Sequence, residues 1–179
     1  MNVWNNDATN MINGTDGTLW NPYVDKLKPL YLFAPEVCRS VSFVYQKPSN
    51  VCGVSTYRYQ VNPQESQMPN FYPRNAGYGF KNCLNGNLTD TVNINKCCLG
   101  KGVFSLLYCK DAEFVLTGSH MYGSEQFIND IKGINKPSSL VASTWIEIDP
   151  ITGRPLCGNN NVQKNFYIRK TKILENVYD

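Results

Sequence analysis

The sequence predicts a mainly β (α+β) fold that is held together by disulfide cross-links. Short runs of alternating apolar and polar residues recur along its 179 residues, separated by segments rich in Asn, Gly and Pro, and no segment shows a convincing helical period. The chain has seven cysteines and two acceptor sequences for N-linked glycan, Asn13-Gly14-Thr15 and Asn87-Leu88-Thr89. Because disulfides and N-glycans both form in exported proteins, the two signals independently indicate one oxidising compartment.

The alternating runs give the order of the elements. Residues 1–30 are rich in Asn, Gly and Pro and are predicted as a surface loop. The composition of 47–50, Lys-Pro-Ser-Asn, predicts a turn, and 62–82 is predicted as a long loop that the following cysteines pin in place. Residues 118–133 are at most weakly helical. Six runs are predicted as strands, at 41–45, 56–61, 103–108, 114–116, 143–149 and 165–170.

Four of the cysteines, Cys83, Cys97, Cys98 and Cys109, lie in one stretch of the chain, and we interpret them first as cross-links. A zinc site would need paired Cys-x-x-Cys motifs or a Cys/His set. Here the intervening segments have thirteen, no and ten residues, and His120 is the only histidine of the sequence. A catalytic thiol would need that same imidazole as its base. Reduced cysteines in a cytosolic protein are the third alternative, which the odd cysteine count keeps open.

The charge pattern and the termini limit the class of protein. Charged residues make up 17% of the chain and the formal net charge is +3, which is too small and too scattered for nucleic-acid binding. No apolar run approaches the roughly 20 residues that cross a bilayer, and the N-terminus lacks a signal-peptide pattern. Since glycans and disulfides need export, we expect residues 1–179 to be a fragment of a single ectodomain whose targeting and membrane-spanning segments lie elsewhere.

Candidate catalytic residues are few. Glu147 and Asp149 fall on one face of a predicted strand, which is compatible with the carboxylate pair of a secreted hydrolase, but a solvated strand face is the favoured explanation. His120 is interpreted as a structural side chain rather than a base. Because the sequence has no catalytic signature motif, we expect no enzyme activity, no cofactor and no metal site.

Six short patterns follow one another along most of the chain. They are NGTDGT at Asn13–Thr18, VCRSVSFVY at Val37–Tyr45, YRYQV at Tyr57–Val61, NAGYGF at Asn75–Phe80, CLGKGVFSLLYCK at Cys98–Lys110 and WIEIDPITG at Trp145–Gly153. In this order, over about Asn10 to Lys170, they resemble the class B scavenger receptors, the group that contains fatty-acid translocase and the lysosomal membrane protein that carries glucocerebrosidase.

The resemblance implies the middle-to-late part of an ectodomain built around an antiparallel β-barrel with short helices and long loops, held between two membrane-spanning helices. The location would be the extracellular side of the plasma membrane or the lysosomal lumen. Family members bind lipids, lipoproteins, anionic particles and protein ligands, and an internal tunnel is proposed to carry hydrophobic ligands to the membrane. Tyr57 with Tyr59, or Phe166 with Ile168, could line such a tunnel or pack in an ordinary core, and the sequence leaves both open.

The resemblance also implies disulfide pairings. Cys38 falls on the cysteine of the family's CRS motif, and Cys109 falls on its long-range partner. Cys98 falls on one member of a short bridge whose usual partner position is Gly79 in this chain, and Cys83 is expected to take that role.

A further bridge, present in only some family members, would join the positions of Thr9 and Gly77, which are not cysteines in this chain. Three cysteines have no secure counterpart in the family: Cys52, Cys97 and Cys157.

The expected function is therefore that of a receptor fragment that binds and transfers lipids, lipoproteins or other hydrophobic or anionic ligands at a membrane. Two alternatives of other classes remain. One is a stand-alone secreted adhesion or carbohydrate-binding β-domain, and the other is a secreted hydrolase that uses Glu147 and Asp149.

Overall fold

The computed structural model describes residues 2–79, 98–130, 132–135, 138 and 143–167, and within them the predicted mainly β fold is confirmed. Two antiparallel sheets, one of them curled into a half-barrel, are accompanied by a few short helices. The five-stranded sheet has the order β1-β2-β3-β6-β7, and the three-stranded sheet has the order β4-β5-β8. The strands are β1 (Leu30–Ala34), β2 (Arg39–Val51), β3 (Val54–Val61), β4 (Phe104–Ser105), β5 (Phe114–Gly118), β6 (Trp145–Ile148), β7 (Pro155–Asn159) and β8 (Val162–Phe166).

The β2–β3 hairpin is the longest pairing, and it corrects the predicted turn at 47–50. That segment lies inside β2, with Pro48 paired to Tyr57 across the hairpin after an irregularity in the register. The chain reverses instead at Cys52-Gly53, where both residues have positive φ (49° and 90°), as a two-residue hairpin turn requires. The Asn50 side chain accepts a hydrogen bond from the Gly53 amide at 2.9 Å and closes the turn.

The two sheets are joined by a corner. β7 is an edge strand of the five-stranded sheet, and after only Asn160 and Asn161 the chain enters β8 of the other sheet. β1 and β7 were not predicted as strands. β8 begins three residues before the predicted 165–170 run, and 168–170 lie outside the described residues.

The core lies on one face of the five-stranded sheet. Its buried members are Trp20, Phe43, Tyr59 and Ile148. Phe43 of β2 and Tyr59 of β3 point to the same face, because side chains alternate between the two faces of a strand. Trp20 of the N-terminal segment lies over this face and donates its indole N–H to the Tyr31 carbonyl at 3.0 Å. Residues 1–30 are therefore more than a surface loop.

Three connecting segments differ from their predictions because their backbone polar groups find local partners. The N-terminal segment forms α1 (Asp7–Asn10), and the predicted loop at 62–82 holds 3₁₀ helices at Pro63–Ser66 and Pro73–Tyr78 as far as residue 79. The predicted strand at 103–108 is a two-residue strand followed by α2 (Leu107–Lys110). The described residues of 118–133 hold 3₁₀ turns at Ser119–Met121 and Glu125–Asp130, in keeping with the weak helicity predicted there.

Candidate functional site

The apolar face of the five-stranded sheet is the first candidate site. We use this name for the core cluster together with the half-buried side chains that surround it, which are Val24, Leu30, Leu32, Val41, Tyr45, Tyr57, Val61 and Ile146. The face exists because apolar residues alternate along parts of three strands that are in register, as in the pairs Tyr45–Tyr59 and Tyr59–Ile146. The alternating residues are Val41, Phe43 and Tyr45 of β2, Tyr57, Tyr59 and Val61 of β3, and Ile146 and Ile148 of β6. It holds the hydrophobic core cluster of the described residues and has the chemistry that an acyl chain needs.

Three tyrosines lie at the centre of the apolar face. The ring of Tyr45 packs edge-on against Tyr57 and Tyr59, with centroids 5.4 and 5.9 Å apart. The Tyr59 hydroxyl is buried and has no hydrogen-bond partner among the described residues, and burial is the main cause that raises its pKa to about 12. Tyr59 is thus a core residue, whereas Tyr57 is only half-buried.

The second aromatic pair predicted for a tunnel behaves differently. Phe166 is 77% exposed and lies against Phe114 with a centroid distance of 4.6 Å on the three-stranded sheet. Ile168 lies outside the described residues. The structure therefore places Phe166 on a different sheet from Tyr57 and Tyr59 and does not bring the two pairs together.

The opposite face of the sheet corrects the interpretation of Glu147. Its side chain is 3% exposed rather than solvated, because Arg58 of the neighbouring strand donates to it from Nε at 2.7 Å and also from Nη2. Ser49 adds a third donor at 2.8 Å, and the Arg58 guanidinium lies over the ring of Trp145, with Cζ 4.0 Å from the ring centroid. With its charge matched by Arg58, Glu147 is part of a structural ion pair.

Asp149 does not join Glu147. β6 ends at Ile148, and the Asp149 carboxylate accepts hydrogen bonds from the Thr152 hydroxyl at 2.6 Å and from the Ile151 amide at 3.0 Å. These bonds lower the pKa of Asp149 below its usual range and shape the turn that follows. The two carboxylates of the hydrolase alternative therefore have separate structural roles.

A buried arginine near the disulfide is a feature that the sequence analysis missed. Arg39, at the start of β2, is 5% exposed, and its Nη2 lies 3.3 Å from the Glu65 carboxylate. Its guanidinium is sandwiched by the rings of Tyr78 and Phe104, with Cζ 3.7 and 4.8 Å from the centroids. Arg39 Nε is buried, and no group in the described part of the chain accepts a hydrogen bond from it. The sequence offered one signal for a structural role of Arg39, which is its position directly after Cys38 in the CRS pattern.

The Arg39 cluster lines a small cleft. Trp4, Met68 and Leu99 contribute to its walls, and the cavity volume is about 50 Å³. That volume has room for a few water molecules and is far below the roughly 300 Å³ of the smallest usual ligand pockets. We therefore give the cleft a structural role rather than a ligand-binding one, because four segments of the chain meet there.

The cysteines are placed as follows. Cys38 and Cys109 form a disulfide with an S–S distance of 1.96 Å, which links the β1–β2 turn to α2. Cys98 is half-buried and is not bonded to another cysteine of the described residues, and burial raises the pKa of its thiol to about 11. Its predicted partner Cys83 lies outside the described residues, so their pairing stays a prediction. Cys52 and Cys157 are exposed and have no disulfide partner among the described residues, and Cys97 is also outside those residues.

The positions of the missing family bridge are in contact. A Cβ atom built on Gly77 would lie 2.4 Å from Thr9 Oγ1, and both residues are buried. The Asn5 amide donates to the Gly77 carbonyl at 3.1 Å, which holds the N-terminal segment against the 3₁₀ helix at Pro73–Tyr78. The packing that the cross-link would fix is thus present without it.

The remaining predicted sites are single residues. His120 is exposed in a 3₁₀ turn, with φ 53° and with its amide bonded to the Gln163 side chain at 2.9 Å. Asn13 is partly exposed and its amide donates to the Ser40 hydroxyl at 2.7 Å, while Asn87 lies outside the described residues. Glycosylation of Asn13 and Asn87 stays a prediction. Within the described ranges no group of three or more His, Cys, Asp or Glu side chains could hold a metal ion.

Together these features place the chain in a class of protein, the disulfide-linked antiparallel β-domains in which a curled sheet has an apolar face. Among the residues described above, no helix is long and apolar enough to cross a membrane. A model of the CD36 family matches residues 1–179, and the chain belongs to this family, the class B scavenger receptors.

Similar proteins include lysosome membrane protein 2 of Mus musculus, which is 35% identical over 170 residues (93% of this chain and 32% of that protein). Sensory neuron membrane protein 2 of Drosophila melanogaster is 30% identical over 177 residues (94% and 31%). Scavenger receptor class B member 1 of Cricetulus griseus is 29% identical over 173 residues (96% and 31%). The chain thus spans about a third of the length of these relatives.

Proposed function

We propose that the chain is part of the ectodomain of a class B scavenger receptor that binds lipids, lipoproteins or other hydrophobic or anionic ligands and passes lipid to a membrane. The site would be the plasma membrane or the lysosome, with the chain on the extracellular or luminal side. The role is non-enzymatic. The observation that carries the proposal is the apolar face of a curled sheet in a chain that the family model matches from end to end.

The half-buried side chains of the apolar face can contact a bound lipid. Tyr57, Val61 and Ile146 surround the fully buried Tyr59 but keep part of their own surface accessible. Contact with an acyl chain would remove that surface from water, which is worth about 25 cal/mol per Å². A curled sheet surrounds a linear chain better than a flat one, so its interior is the proposed lipid site.

The test is photolabelling of the purified chain with a diazirine-bearing fatty acid, followed by peptide mapping. We expect saturable labelling of Tyr57 or Val61. Arg58 and Gln60 lie between them on the same strand and point to the other face, so they serve as internal controls. Labelling of the control residues, or labelling that does not saturate, would contradict the proposal.

A further inference from the structure

Two loops meet at the end of the five-stranded sheet that is remote from the Cys38–Cys109 disulfide. They are residues 19–28 and 149–154, which we call the lip. Backbone hydrogen bonds join them from the Trp20, Tyr23 and Val24 amides to carbonyls of the second loop, at 3.0, 3.0 and 2.7 Å. The approach is close, because a Cβ on Gly153 would lie 2.3 Å from the Trp20 carbonyl oxygen. Trp20 is in the core, so it anchors the lip to the five-stranded sheet.

Large apolar side chains project from this base into solvent. Tyr23 is 83% exposed and Leu27 is 87% exposed, and Leu19 and Ile151 are both more than half exposed. Tyr23 has φ 57°, a conformation that is unfavourable for a bulky residue. The pairing of its amide with Ile151 holds this conformation while the phenol ring remains outside the core.

The charges of the lip indicate its partner. Lys26, Lys28 and Arg154 are exposed beside the apolar side chains. Of the acidic groups, Asp25 lies 3.9 Å from Lys28, and the Asp149 carboxylate accepts hydrogen bonds from its own turn. Three cations and two anions leave the lip positive. Exposed Leu, Ile and Tyr side chains with Lys and Arg beside them form the pattern that binds at a membrane interface, where the apolar groups enter the acyl boundary and the cations meet headgroup phosphates.

We propose that the lip docks on an anionic phospholipid bilayer, with Tyr23 and Leu27 inserted at the interface. This inference deepens the proposed function and rests on it, because it supplies the place where a lipid-transferring domain would touch the membrane.

The experiment is flotation of the purified full chain with vesicles of phosphatidylserine and phosphatidylcholine, compared with phosphatidylcholine alone. Leu27→Asp should weaken binding about tenfold or more, because it puts a charge where the exposed apolar side chain would enter the membrane interface. The control is Phe71→Asp, which removes an equally prominent side chain (75% exposed) from the 62–79 segment and should leave binding unchanged. Lys26→Glu with Lys28→Glu should abolish the preference for phosphatidylserine.

A Tyr23→Trp variant reports insertion directly, since brominated phosphatidylcholine should quench its added fluorescence relative to the unchanged chain. Equal loss of binding in Leu27→Asp and Phe71→Asp, or no quenching, would overturn the inference. So would a result in which Leu27→Asp only separates dimers, because the lip would then bind a second copy of the chain. If the chain ignores vesicles but still takes the fatty-acid label on the apolar face, the inference fails and the proposed function stands. If it takes neither, both fail.

Discussion

Removal of the Cys38–Cys109 disulfide should cost the chain a large part of its stability. The bond joins residues 71 positions apart, so it closes a loop of about 70 residues. In the chain-entropy account, a cross-link that closes a loop of that length lowers the entropy of the denatured chain by about 15 cal/mol/K. This stabilises the folded chain by about 4 kcal/mol at 25 °C. Since domains are typically stable by only about 5–15 kcal/mol, the variant should be marginal.

The perturbation is Cys38→Ser together with Cys109→Ser, which leaves no new free thiol. The native contacts of the site are retained, because the Trp4 indole donates to the backbone carbonyl of residue 38 at 2.6 Å and not to its sulfur. Urea unfolding should show a midpoint lower by about 2 M for a slope of roughly 2 kcal/mol/M. If the chain is part of an exported receptor, as proposed above, Cys38→Ser should also reduce the export of that receptor.

The matched control is Cys52→Ser with Cys157→Ser, since both of these thiols are exposed and have no disulfide partner in the described part of the chain. It should change the midpoint by less than about 0.3 M, as expected for surface substitutions. Non-reducing mass spectrometry of the unsubstituted chain should show the Cys38 and Cys109 peptides linked by the disulfide. If that link is present and the two double variants still have equal urea midpoints, the reasoning is refuted.

Three more predictions follow from buried groups. Glu65→Gln should destabilise the chain by about 3 kcal/mol in urea unfolding, because it leaves the Arg39 charge buried without its partner, whereas the exposed neighbour change Gln64→Ala should be nearly neutral. Tyr59→Phe should stabilise by about 1 kcal/mol, since the hydroxyl has no hydrogen-bond partner within the described residues. The Tyr59 pKa is about 12 in the fold and about 10 when unfolded, so the unfolded chain ionises first and the unsubstituted chain loses stability relative to Tyr59→Phe as pH rises from about 10 towards 12. A difference between the urea midpoints of these two chains that is the same at pH 9 and pH 11 would contradict this. Thr9→Cys with Gly77→Cys should form a disulfide, visible as the loss of two thiols on titration, and stabilise by about 2–4 kcal/mol; two persistent thiols would show that the contact is too loose to bridge.

The strands with clean alternation were predictable from the sequence. Tyr57, Tyr59 and Val61 needed only a period of two, and their placement on one face followed. The turn at Lys47–Asn50 was predicted wrongly because Pro and Asn favour turns in general, while an irregular register lets β2 carry Pro48 through. The reversal at Cys52-Gly53 could not be predicted well, since cysteine is unusual at a positive φ.

The site was less predictable than the fold because its side chains act through partners distant in sequence. Glu147 is an exposed carboxylate by pattern, and only the strand order reveals that Arg58 lies beside it. Arg39 likewise needs Glu65, Tyr78 and Phe104, which three different segments supply. The pairing of Cys38 with Cys109 came from family resemblance, since spacing alone allows many connections among seven cysteines.

The corner at Asn160 and Asn161 has a mechanical consequence when it is considered together with the disulfide. The chain passes between the two sheets after β3, β5 and β7, and the passage after β7 has only two residues, while the Cys38–Cys109 disulfide binds the β1–β2 turn to α2, which lies between β4 and β5 of the other sheet. Reduction of the disulfide would therefore leave the Asn160-Asn161 corner as the shortest covalent constraint on the angle between the sheets. A reducing environment would then loosen the orientation of the sheets before it unfolds either of them.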